Sequence, residues 1–126
     1  MCTTAKSKPR EIRKPIIAYK IMEDKNGHIV SAYQQHEVRI GQLTKTTMGA
    51  KRFIAGFSDH HKKKTPVWDG AYHFHRSKLT AEIYMRFNDK RIVIECEIPA
   101  WSAVMDGEED TILANRYIPT KVVSRY

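Results

Sequence analysis

Residues 70–87, GAYHFHRSKLTAEIYMRF, decide how the fold is read, because a strand pattern passes into a helix start within a few residues. Tyr72, Phe74 and Arg76 alternate with His73 and His75, the period of two that a strand imposes. Ser77 then stands as an N-cap ahead of Leu79, Ile83 and Phe87, which share one helical face. A strand that runs into a capped helix leaves backbone N–H groups free at the junction, here beside His75, Arg76 and Lys78. That is anion-binding geometry.

The flanking sequence is rich in strand signals. Residues 16–22 (IIAYKIM) are β-formers, and Asn26-Gly27 is a hairpin turn that should bring residues 28–33 back on them. Residues 36–40 alternate again, with His36 and Arg39 on opposite faces. Residues 91–98 (RIVIECEI) are the clearest strand: Ile92, Ile94, Cys96 and Ile98 face one side and Val93, Glu95 and Glu97 the other, until Pro99 ends it. Residues 101–105 read as a helical turn or bend, and residues 106–110 (DGEED) as an exposed acidic turn. Residues 111–117 are ambiguous, and residues 118–123 read as a last strand, on an edge because of Pro119. The expected fold is α+β: a small, mostly antiparallel sheet with one principal helix over 78–87 and a long basic loop over 42–69, in which residues 53–57 suit a short strand or an apolar plug. Residues 15–126 form one domain behind a flexible basic tail, residues 1–14.

The chain has 126 residues, enough for one buried core, and no stretch approaches the ~18 apolar residues of a membrane span. With no apolar leader near the start, a cytoplasmic location is expected. Cys2 and Cys96 fit reduced thiols. An N-terminal cysteine exposed by Met removal would have its own amine as a base, although a merely flexible tail explains Cys2 as well. The net charge of +8 is unevenly placed: residues 1–14 carry +4, residues 45–64 carry +5, and the remainder comes to −1. Such a tail and loop attract phosphate-bearing partners over long range, or simply solvate the chain. Asp59, His60 and His61 lack the spacing of a metal site and abut three lysines, so neither metal nor cofactor is expected.

Several short motifs together resemble a family of short, largely uncharacterised phage and bacterial proteins. They are the Met-Cys start, Tyr19-Lys20, the Ser-x-Tyr-Gln segment (Ser31, Tyr33, Gln34), Gly41, a Gly-aromatic-His element followed by Ser and Ala (Gly70, Tyr72, His73, Ser77, Ala81), the Cys-x-Ile-Pro strand end (Cys96, Ile98, Pro99) and residues 114–118 (ANRYI). The resemblance implies an α+β fold and a phage setting in a host cytoplasm. In that setting small proteins often bind host components, and one class counters bacterial immunity by capturing or degrading nucleotide second messengers.

A pocket for a cyclic nucleotide or cyclic ADP-ribose signal needs aromatic faces, cationic groups and N–H donors. Tyr19, Lys20, Ser31, Tyr33, Tyr72, His73, His75, Arg76 and Ser77 supply those types, although tyrosines on a half-buried sheet also serve simply as core and rim. The leading expectation is therefore a binder that sequesters an anionic nucleotide-like ligand, with a homo-oligomer open to it. A metal-independent phosphodiesterase using His73 and His75 as acid and base is the enzymatic alternative. Side-by-side histidines suit gripping a phosphate better than flanking a scissile bond, which favours binding over catalysis. Weak, non-specific nucleic-acid binding through the two basic segments needs only their charge.

Overall fold

The computed structural model describes residues 10–31, 36–45, 56–60, 63–67, 72–87, 90–107 and 109–125. In chain order the elements are β1 (Arg10–Glu11), β2 (Ile16–Lys25), β3 (His28–Ser31), β4 (Glu37–Val38), β5 (Thr44–Lys45), β6 (Gly56–His60), β7 (Lys63–Val67), β8 (Tyr72–His75), α1 (Lys78–Met85), β9 (Arg91–Ile98), β10 (Ala103–Asp106), β11 (Thr111–Ala114) and β12 (Arg116–Arg125). One antiparallel sheet runs β1-β10-β11-β8-β2-β9-β12-β5, with β3 beside β2 and β4 beside β3; β6 and β7 form a separate ribbon. The α+β class, a mostly antiparallel sheet with one helix among the described residues, is as expected.

The β2–β3 hairpin turns at Asn26 and Gly27, both at positive φ (54° and 86°). The right-handed strand twist favours that pair of left-handed residues, and the Asp24 carboxylate accepts the Gly27 N–H at 3.0 Å. The longest pairing is β2 with β9, Ile16 opposite Ile98 through Glu23 opposite Arg91. It places Ala18, Met22, Ile94, Cys96 and Ile98 on one buried face.

Connectivity forces this sheet to curl. β11 and β12 stand four places apart in the strand order, yet Asn115 alone separates them in the chain. A flat sheet would hold them about 19 Å apart at ~4.8 Å per strand. The strands β11, β8, β2, β9 and β12 must therefore wrap until the two ends of the row meet, as in a small, partly closed barrel. The corner is held by side chains of the ANRYI motif. Asn115 Oδ1 accepts the Ala103 N–H at 3.0 Å, and Arg116 donates to Ser102 Oγ at 3.0 Å and to the Ala100 carbonyl at 2.8 Å. The concave face holds the main core, including Tyr72, Phe74, Ile112, Ala114 and Tyr117.

The helix packs on the convex face, with the opposite orientation to the one its sequence invites. Leu79, Ile83 and Phe87 are exposed (68%, 51% and 76%), while Ala81 and Met85 are buried against Val93, with Tyr19, Ile21 and Val123 at the margin. Helical period groups residues by face but does not say which face is covered. Here the small side chain of Ala81 allows close approach to the sheet.

Other parts of the chain depart from the sequence reading as well. Residues 10–12, expected in the tail, join the sheet: Arg10 and Glu11 pair with Val104 and Ala103, and Ile12 enters the core. Residues 103–106 form β10 rather than a helical bend. The long basic loop is replaced, where described, by β5 and the β6–β7 ribbon. The last strand reaches from 116 to 125, and its register shifts directly after Pro119, which absorbs the missing N–H.

Candidate functional site

The junction before the helix has the expected cap, and the acidic turn occupies part of its donor set. Ser77 is extended, and its side chain accepts the Thr80 N–H. Two of the junction N–H groups are taken by the acidic turn: Ser77 N donates to Asp110 Oδ2 at 2.9 Å and Arg76 N to the Asp110 carbonyl at 2.8 Å. The Arg76 guanidinium is bound to Asp106, which also pairs with Arg10 at 3.1 Å. Burial alone would raise the Asp106 pKa, but Arg10 and Arg76 outweigh it and the net shift is downward. The turn expected to be a solvated loop is thus the internal anion of this site. Asp110→Ala should unbind the Ser77 N–H and lower stability by about 1–2 kcal/mol in urea unfolding, the usual cost of a lost helix cap; an unchanged midpoint would show that water replaces the carboxylate at no cost.

His73 and His75 share the convex face, as their spacing requires. His75 is 9% exposed and stacks on Tyr84 at 5.3 Å with planes 14° apart. Its Nδ1 is buried with no hydrogen-bond partner among the described residues, and burial lowers its pKa despite the opposing charge of Asp110. Tyr19 lies on the same face beside the helix.

The opposite face carries the chemistry. Lys20 is flanked in β2 by Ala18 and Met22, both core residues, so the strand's period of two turns it into the curl. Its Nζ donates to the His73 carbonyl at 3.0 Å and lies 5.2 Å from the Phe74 ring centre and 5.9 Å from those of Tyr72 and Tyr117. None of the ion pairs among the described residues involves it. Burial lowers its pKa from 10.5 to about 8, with the Cys96 thiol opposing the shift weakly. Cys96 itself is pushed up to about 12 by burial.

The rings around Lys20 form one packed group. Tyr117 meets Tyr72 and Phe74 edge-on at 5.0 and 5.1 Å, and its hydroxyl hydrogen-bonds His36 Nε2 at 3.1 Å. Burial raises the Tyr117 pKa, so the phenol stays protonated. The His36 ring lies 5.2 Å from that of Tyr72. Its pKa falls to about 4, first through burial and then through the charge of Lys20. Ser31 braces this end, its N–H donating to the His36 carbonyl at 2.9 Å and its hydroxyl accepting the His36 N–H at 3.3 Å.

The residues expected to form one site are therefore divided. Lys20 and Tyr72 meet in the curl, with Ser31 joined to them through His36. Tyr19, His73 and His75 lie on the helix side, and Arg76 and Ser77 are engaged by Asp106 and Asp110. Tyr33, Cys2 and Gly70 lie outside the described residues. His36, Phe74 and Tyr117 complete the lysine's surroundings without having been expected there; alternation put Phe74 on one strand face with Tyr72, but the approach of β12 to β8 has no local signature. Among the described residues no three His, Cys, Asp or Glu side chains group as metal ligands, and no helix is long and apolar enough to cross a membrane. No protein family, curated protein or solved structure matches the chain.

Proposed function

We propose that this protein binds and sequesters an anionic, nucleotide-like ligand at the curl, with Lys20 as the charge partner and Tyr72 as a stacking surface. One observation carries the reading: a half-buried ammonium, without a carboxylate partner among the described residues, is surrounded by aromatic rings. Burying a cation in this way is costly, and an incoming phosphate would offset the cost while Tyr72, the least buried of the three rings, is the one a base would reach. The chain's net charge of +8 adds long-range attraction. Resemblance to phage proteins makes cyclic nucleotides and cyclic ADP-ribose isomers, the signals of bacterial immunity, the ligands to test first. No observation specifically favours hydrolysis by His73 and His75, since His75 is stacked beneath Tyr84 rather than presented to a substrate.

Native mass spectrometry of the purified protein with a panel of these nucleotides, followed by denaturation and weighing of what is released, tests the reading. Recovery of intact ligand, lost in Lys20→Met and kept in Arg76→Ala, is the expected result. A cleaved product would transfer the function to an enzyme, and no bound nucleotide from the panel would refute the proposal. Affinity should be flat below pH 8 and weaken by up to tenfold per pH unit above it, because the amine must then take up a proton to hold the anion.

A further inference from the structure

The surroundings that make Lys20 costly as a cation favour it as a nucleophile. Its amine has one hydrogen-bond acceptor, the His73 carbonyl, and is otherwise faced by the rings of Tyr72, Phe74 and Tyr117. The titratable groups around it are Cys96, His36, His75, Tyr72 and Tyr117, with none of the ion-paired carboxylates of the described residues bound to it to hold the proton on nitrogen. A lysine in such a setting is the arrangement that carbonyl chemistry uses.

We infer that Lys20 is a reactive amine whose Nζ condenses with a small aldehyde or ketone at the curl to form an imine. The nitrogen lone pair attacks the carbonyl carbon, a C–N bond forms, and the carbonyl electron pair moves onto oxygen, which takes a proton lost by nitrogen. The resulting hydroxyl leaves as water with the second nitrogen proton, and the C=N double bond closes. Amine and carbonyl thus give imine and water with no oxidant or reductant. The hydrogen-bonded His36–Tyr117 pair lies nearby, with the Tyr117 ring centre 5.9 Å from the reacting nitrogen, and water carries those protons.

The inference uses the side chain of the proposed ligand site but stands apart from anion capture, so the probe is an uncharged aldehyde. The protein is treated at pH 7 with limiting propanal and cyanoborohydride, which reduces each imine to a stable propylamine, and the alkylated lysines are mapped by peptide mass spectrometry. With its pKa at about 8, the neutral fraction of Lys20 at pH 7 exceeds that of an ordinary lysine by about 300-fold. Lower basicity weakens the nucleophile and returns part of that gain. Lys20 should therefore be labelled at least about tenfold faster than exposed Lys78 and Lys121, with the preference lost in urea. Its rate should level off above pH 8 while theirs keep rising.

Labelling of Lys20 no faster than Lys78, or a preference that survives unfolding, would overturn the inference. Repeating the reaction with pyridoxal 5′-phosphate, an aldehyde bearing a phosphate, separates the two readings. Propanal labelling without any added preference for the phosphate-bearing probe keeps the reactive amine and counts against the anion site. Nucleotide binding with an inert Lys20 does the reverse.

Discussion

Replacing Lys20 by Met is expected to make the protein more stable at pH 7 and unable to hold an anionic ligand. Folding takes Lys20 from an ordinary pKa of 10.5 to about 8, so at neutral pH the fold carries a charge that its surroundings disfavour. At 1.36 kcal/mol per pKa unit the penalty is on the order of 3 kcal/mol. Met keeps the length and apolar contacts of the side chain, and it loses the hydrogen bond to the His73 carbonyl. The net gain should be about 1–2 kcal/mol in urea unfolding.

The sign of the pH dependence follows from the direction of the shift. Between pH 8 and 10.5 the unfolded chain holds a proton that the folded one has released, so this contribution to stability rises with pH through that window and is lost as pH falls through 8. The wild-type protein should gain on the Met variant across that range and match or pass it near pH 10.5. A variant less stable than wild type at every pH would mean that the lysine is a structural tie rather than a strained functional group. A protein that keeps a destabilising, half-buried cation among aromatic rings is paying for a use, and ligand binding is the use proposed.

A second large effect should appear in acid. His36 is held neutral, its pKa lowered from 6.5 to about 4 by burial and by the charge of Lys20. Between those values the unfolded chain takes up a proton that the folded chain refuses. Stability should therefore fall as pH drops from 6.5 through 4, by about 2–3 kcal/mol from this one group. His36→Gln retains a polar partner for the Tyr117 hydroxyl and does not titrate, so the wild-type-minus-variant difference should shrink over that interval and be constant above pH 7. Because part of the depression comes from Lys20, an NMR titration of His36 in Lys20→Met should find its pKa moved back toward 6.5. A His36 pKa unchanged in that variant would mean that burial alone sets it and that the two side chains act independently.

Much of the architecture follows from local chemistry. Asn26-Gly27 specifies its hairpin because the turn requires two residues at positive φ, and alternation in residues 91–98 separates Ile94, Cys96 and Ile98 from Val93 and Glu95 whatever the rest of the chain does. The Ser77 cap is legible for the same reason: its hydroxyl reaches an N–H three residues away. These are short-range effects, decided by backbone sterics and by periods of two and 3.6 residues.

The site was not local in that sense. The same periodicity grouped Leu79, Ile83 and Phe87, but only the closeness that Ala81 allows to Tyr19 and Val93 decided that the helix buries its other side. The helix start reads as a cluster of donors, and Asp110, thirty-three residues further on, accepts two of them, the N–H groups of Arg76 and Ser77. Lys20 is among the ligand-binding residues expected from the sequence, but as one member of a set centred on the helix start. It became a half-buried cation among aromatic rings because β11 runs into β12 through a single residue and curls the sheet, carrying Tyr117 across to Tyr72, Phe74 and His36. By itself, then, the sequence determined β2, β3, β8 and β9, the turn and the capped helix through interactions a few residues long. The tertiary structure alone decided which donors were left over and which charge was stranded, because both depend on groups brought together by closure of the sheet.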